Sequence, residues 1–229
     1  MLNTINNNKK KNRTDNESLH TKYKIWETIY NSLEDLKVKT QNRLSSFVFA
    51  SAKKGEGAST IALNSAIALK TNPENSVLLV DANLRSPGLH NFFNTTRNNG
   101  LVELVTGKSD ISNTLVYEKS RDFFILTAGS SIDSFSMFFQ SDNFSKTLET
   151  LKEKFTHIIF DSGPVLTCPE TSALARKTDG IIMVVESEVT KAEVLYSAKH
   201  YLKNSKVNIL GAILNKKKYY IPESIYRRL

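Results

Sequence analysis

Short, nearly uninterrupted apolar runs alternate along this chain with longer stretches whose apolar residues recur every three or four positions. The short runs are SFVFAS (46–51), SVLLVDA (76–82), FFILTA (123–128), HIIFDS (157–162), GIIMVVES (180–187) and NILGAILN (208–215). Rich in Val, Ile, Leu and Phe and lacking polar alternation, they predict parallel strands covered on both faces. Between them the spacing predicts helices at about 59–70, 100–106, 142–155, 169–176 and 189–204. Upstream, YKIWETIYNSLEDLKV sets Ile25, Ile29, Leu33 and Leu36 at helical spacing. Strand and helix in alternation predict an α/β fold: a doubly wound, mainly parallel sheet with helices on both faces.

The length of 229 residues and 40% hydrophobic content suit one sizeable domain. Residues 1–18, rich in Asn and Lys, read as a disordered basic tail, 19–215 as the folded domain, and 216–229 as a basic tail carrying tyrosines. The start has no apolar signal core, and no later apolar run approaches the roughly 20 residues that span a bilayer. A single cysteine, Cys168, excludes an internal disulfide and suits a reducing compartment, so the expected location is cytoplasmic. The four histidines show no metal-ligand spacing.

The net charge of +8 sits at the ends. Lys9, Lys10, Lys11 and Arg13 lie in the first 14 residues, and Lys206, Lys216, Lys217, Lys218, Arg227 and Arg228 face only Glu223 in the last 24. A near-neutral body argues against nucleic acid. Basic ends suit an anionic membrane surface or an acidic partner, at about 1 kcal/mol per cation near the surface, and equally suit plain solubilising tails.

Ligands of open α/β sheets sit beyond the carboxyl ends of the strands. The first strand runs into AKKGEGAST, where the phosphate-loop pattern [AG]-x-x-x-x-G-K-[ST] fits at Ala52, Gly57 and Ser59 and fails at Ala58. Lys53, Lys54, Gly55, Glu56, Gly57, Ala58, Ser59 and Thr60 form the candidate cofactor-binding stretch. Its glycines can aim backbone N–H groups at a phosphate, and the helix N-terminus adds partial positive charge. Ser59 stands where a hydroxyl would ligate Mg²⁺. Ala58 removes the ammonium that meets the β- and γ-phosphates, and Lys53 or Lys54 could approach from another direction. Taken alone, the stretch also reads as a tight glycine turn.

The second strand ends in Asp81, followed by Arg85 as a further ligand candidate, and the fourth ends in Asp161. Acids at strand ends are placed to act on water, a hydroxyl or a metal. Asp81 and Asp161 are the catalytic candidates and, with Ser59, the Mg²⁺ candidates. Either aspartate alone would serve as a helix cap; both together with the glycine loop are poorly explained that way.

These segments resemble the bacterial tyrosine kinases of capsule and exopolysaccharide synthesis, the CpsD/CapB type, within the MinD/ParA-like group of phosphate-loop ATPases. The similarity spans about residues 45–215 and includes GLVELVTG, FFILTAG, TDGIIMVVESEVTKAEV and LGAILNK. The resemblance implies a phosphate-loop NTPase fold, ATP and Mg²⁺ as cofactors, and tyrosine phosphorylation at the C-terminus. It further implies a membrane polysaccharide co-polymerase as partner, whose cytoplasmic tail would hold the chain at the inner face of the membrane.

The sequence departs from that family where its chemistry is made. Ala58 replaces the lysine, Asn83 the second acid of D-x-D-x-R, and Gly163 a proline of D-T-P-P. In the upstream helix, the E-x-x-R-x-x-R associated with ring assembly keeps Glu27 but has Tyr30 and Leu33 for the arginines. The tail holds Tyr219, Tyr220 and Tyr226, readable as phosphate acceptors or as packing aromatics. Three functions stay open: a kinase-like subunit with impaired catalysis, which could act beside an intact paralogue and as an oligomer; an active divergent autokinase; and a MinD/ParA-like positioning ATPase.

Overall fold

A computed structural model describes residues 27–36, 38 and 44–217. After a helix, α1, over 27–36, the elements run β1 (Ser46–Ser51), α2 (Ala58–Leu69), β2 (Val77–Asp81), α3 (Leu89–Phe92), α4 (Leu101–Val105), α5 (Ile111–Thr114), β3 (Leu115–Glu118) and β4 (Phe123–Leu126). They continue through α6 (Phe135–Gln140), α7 (Asp142–Lys154), β5 (His157–Asp161), α8 (Pro169–Ala175), β6 (Gly180–Glu186), α9 (Ala192–Asn204) and β7 (Ile209–Asn215). The strands form a single sheet in the order β3-β4-β2-β5-β1-β6-β7. Six are parallel, and β3 pairs antiparallel with β4 at one edge.

The six expected strands are all present. The seventh, β3, lies in LVYE, too short and too exposed at Tyr117 to announce itself. Helices α3, α5 and α6 hold four to six residues, less than two turns, so they leave no periodic signature. The segment after β4 contains α6, and the expected helix at 189–204 starts only at Ala192.

Successive strand residues point to opposite faces, and the two faces hold separate cores. Val48, Ala50, Leu78, Val80, Ile158 and Phe160 pack beneath α4, α7 and α8. Phe47, Phe49, Leu79 and Ile159 pack beneath α1 and α2. Helix α1 joins this second core through Ile29 and Leu33, which is 3% exposed. One of the two arginine positions of the resembled kinases is therefore occupied here by a core leucine. At the opposite end of the sheet from the loop, Asp179 Oδ2 accepts the amides of Ser45 and Ser46 at 2.7 Å each, fixing β1 beside β6. Strand β1 lies between β5 and β6, so the loop that follows it rises from the interior of the sheet.

Candidate functional site

The turn 52–57 leaves β1 and enters α2 with Gly55 and Gly57 both at φ 95, a left-handed conformation that favours glycine. Gly57 is the N-cap of α2, and its carbonyl accepts the amide of Ile61 at 3.0 Å. It is doubly constrained, because a Cβ there would lie 2.2 Å from Asn215 Nδ2. Glu56 is 4% exposed and turned into the turn. Its Oε2 accepts the amides of Ala52 (2.8 Å) and Lys53 (3.1 Å), while Oε1 accepts the hydroxyl of Thr190. Glu56 thus braces the loop from within.

The outer side is gripped from β7. Asn215 Nδ2 donates to the carbonyl of Glu56 at 2.9 Å, and Lys216 Nζ donates to that of Gly55 at 2.8 Å and to Glu186 at 3.0 Å. In a planar trans peptide the N–H opposes the C=O. With carbonyls 55 and 56 turned toward β7, the amides of Glu56 and Gly57 point the other way, across the loop. Lys53 and Lys54 are exposed, Ala58 is buried in the core beneath α2, and Ser59 and Thr60 are exposed. Ser59 and Thr60 line a cleft of about 380 Å³, with Leu63, Gly88, Leu89 and Arg121 among the other walls.

Asp81 and Asp161 end adjacent parallel strands in register, both buried. Asp81 Oδ2 accepts the amides of Gly88 (2.9 Å) and Leu89 (3.0 Å), and Oδ1 that of Asn83 (3.3 Å). Burial raises its pKa, against the pull of these amides and of His90. Asp161 Oδ1 is buried with no hydrogen-bond partner. Burial pushes the Asp161 carboxyl up to about 7; a hydrogen bond from Ser59 opposes the shift and the Asp81 charge adds to it.

That orphaned oxygen beside a serine hydroxyl fits a hard cation. Among the described residues no group of three or more His, Cys, Asp or Glu could hold a metal. Two oxygen donors of this kind would suit Mg²⁺, which keeps waters and takes phosphate oxygens in place of a full protein cage. Ser59 and Asp161 would hold it, with Asp81 behind them.

Arg85 is directed elsewhere. Its Nε and Nη2 meet the two carboxylate oxygens of Glu170, the second at 3.1 Å, and its guanidinium lies 4.7 Å from the Phe135 ring centroid. It ties the loop after β2 to α8 and α6. Gly163 closes the same corner: a Cβ there would be 2.7 Å from Cys168 Sγ and 3.3 Å from Asn83 Oδ1. Glycine at 163 is thus matched to Cys168. Tyr219, Tyr220 and Tyr226 lie outside the described residues.

Sequence reasoning missed Glu170, Glu186, Thr190, Asn215 and Lys216. Asn215 and Lys216 close the last strand, where the strand-end rule applied to the other loops would have found them.

A family model described as an AAA domain matches residues 45–210. The chain is similar to the tyrosine-protein kinase YwqD of Bacillus subtilis, 29% identical over 205 residues that cover 90% of this chain and 84% of that one. It is 27% identical to the tyrosine-protein kinase CpsD of Streptococcus pneumoniae over 191 residues, 83% of this chain and 84% of that one. Among solved structures, the chimerical protein CapA2B2 superposes with a TM-score of 0.79 at 26% identity, covering 84% of this chain and 85% of that one.

Proposed function

The chain belongs to the AAA domain family, and on that premise we propose that it is an ATP-binding, tyrosine-kinase-like subunit of capsule or exopolysaccharide synthesis whose phosphotransfer is impaired. The observation that carries this reading is the pairing of an intact cradle with a missing ammonium. Amides 56 and 57 face across the loop, Ser59 and the orphaned Asp161 oxygen stand beside it, and Ala58 contributes a buried methyl.

The loop amides and the N-terminus of α2 bind polyphosphate. Ser59 and Asp161 hold Mg²⁺, which when bound neutralises phosphate charge. Asp81 holds the 83–89 loop closed beside them through its three accepted amides. Loss of one preorganised charge contact at such a centre lowers rates by about 10²–10³. Nucleotide is retained and turnover suffers.

The partner is the cytoplasmic tail of a membrane polysaccharide co-polymerase, which brings the chain to the inner membrane face while its basic ends add attraction to anionic lipid. Among the described residues no helix is long and apolar enough to cross a membrane. A second reading, an active autokinase, is favoured by the exposure of Lys53 and Lys54 on the loop. Calorimetry with Mg-ATP, run beside autophosphorylation with and without the co-polymerase tail, separates the two. Tyrosine phosphorylation that vanishes in the Asp81→Asn, Lys53→Ala double variant would establish the active kinase, and no binding at millimolar ATP would sink both.

A further inference from the structure

Strand β7 is an edge with little to defend it. Among the described residues no strand lies beyond it in the sheet order. Its sequence, ILGAILN, holds neither proline nor a charge, the residues that keep an edge from pairing. Ala212 is exposed and Leu214 is 57% exposed. From Gly211 to Asn215 the pairing with β6 runs without a break. The carbonyl of Asn215 accepts the amide of Ser187 at 2.9 Å, which turns Asn215 toward β6. In a parallel ladder the N–H and C=O of one residue share a side, and the side alternates along the strand. Ile213 therefore also faces β6, and the backbone groups of Ala212 and Leu214 face away from the sheet.

The course of the chain beyond β7 points to what covers them. Lys216 follows at φ 55, a left-handed residue that takes the chain off the line of the strand. KYYIPE (218–223) comes directly after Lys217 and is tethered to this edge, so closing a short loop costs little entropy. Its proline selects the register. Antiparallel strands exchange bonds at every second residue, and Pro222, which has no N–H, cannot stand at such a position. Setting Lys218 or Tyr220 opposite Leu214 carries the alternation onto Pro222. Setting Tyr219 there places Ile221 opposite Ala212 and turns Pro222 toward solvent, where edge strands tolerate it. The loop then holds the four residues 215–218, a common hairpin length.

We infer that residues 219–221 form a further strand antiparallel to β7, with Tyr219 beside Leu214, Ile221 beside Ala212, and Tyr220 beside Ile213 on the other face. The apolar edge is sealed by the chain that follows it. Tyr219 and Tyr220 are thereby withheld from phosphorylation until the strand lets go, whereas Tyr226 lies beyond Pro222 and outside the pairing.

Residue-resolved amide exchange on the full chain tests the pairing. The Ala212 and Leu214 amides should exchange at least about tenfold more slowly in the unaltered chain than in Tyr219→Pro, which loses the donor facing Leu214. Tyr220→Pro loses a donor that faces solvent and should leave both amides within about threefold. The Ile213 amide, on the β6 side, should match in all three chains and reports an intact sheet. Free exchange at Ala212 and Leu214 in the unaltered chain overturns the strand. Protection that survives Tyr219→Pro overturns it too, as does protection that grows with protein concentration, which would make a second copy the occupant. Oxidation supplies an independent check in a Cys168→Ala background. Ile213→Cys with Tyr220→Cys sets two Cα atoms about 4.5 Å apart and should form a disulfide within one chain. Ile213→Cys with Tyr219→Cys points the thiols to opposite faces and should not; equal yields would overturn the register.

Discussion

Asp81 and Asp161 stand opposite each other at the ends of β2 and β5, yet Asp81 accepts three backbone amides while Asp161 keeps an oxygen with no partner. One carboxylate organises the protein, and its neighbour keeps the oxygen that the proposed function assigns to Mg²⁺.

A pH dependence follows. The Asp161 pKa is raised to about 7 from 3.8 by burial, so the folded state holds a proton that the unfolded state releases between those values. Folded stability therefore falls as pH rises from about 4 to about 7, and Mg-nucleotide affinity rises through pH 7 as the carboxylate ionises. Asp161→Asn should stabilise the ligand-free protein by about 4 kcal/mol at pH 8 and little at pH 4. Thermal melts at the two pH values read this directly, and a gain independent of pH would contradict it.

Restoring the loop lysine tests the impaired-catalysis reading. Ala58→Lys should tighten Mg-ATP binding and raise phosphotransfer about tenfold or more. Position 58 is buried at the start of α2, so the larger, charged side chain must be accommodated there against the helix dipole and should lower stability by about 1–3 kcal/mol. Calorimetry with phosphate-transfer assays measures the first effect and chemical denaturation the second.

Gly163 and Cys168 should behave as a coupled pair. Gly163→Ala would place a methyl 2.7 Å from Cys168 Sγ and should cost about 1–3 kcal/mol. Cys168→Ala should recover most of that loss, giving a coupling of about 1 kcal/mol or more in a double-mutant cycle. Additive losses would show that the crowding is relieved elsewhere.

The Arg85–Glu170 pair should matter for folding. Glu170 is 3% exposed in its side chain, so Arg85→Ala strands a buried carboxylate. Since Arg85 is itself 46% exposed, solvent reaches its side of the pair and the expected loss is about 1–3 kcal/mol. Glu170→Gln should cost less, and urea denaturation orders the two.

Five of the six parallel strands could be read from the sequence because burial on both faces writes itself as a continuous apolar run; β7, half-exposed at the sheet edge, was legible from its apolar residues alone. Strand β3, half-covered and at an edge, writes no such run. Gly55, Gly57, Asp81 and Asp161 were legible because each lies at a strand end or in the turn that follows it. The contacts that hold the loop were not: Thr190 is 134 residues from Glu56, and Lys216 is 161 residues from Gly55. No local pattern encodes partners brought together by sheet order. Arg85 was legible as a residue of interest, whereas its partner Glu170, in the first turn of α8, carries no local signal of the pairing.

Leu33 occupies a position where the resemblance described above implies arginine, and it is sealed into the core beneath α1 and α2. Such a change works as a ratchet. Returning arginine to position 33 would force a charge into an apolar layer before it offered anything to a neighbouring molecule. The way back to an arginine helix thus runs through a less stable protein, and each further residue that packs on Leu33 lengthens it.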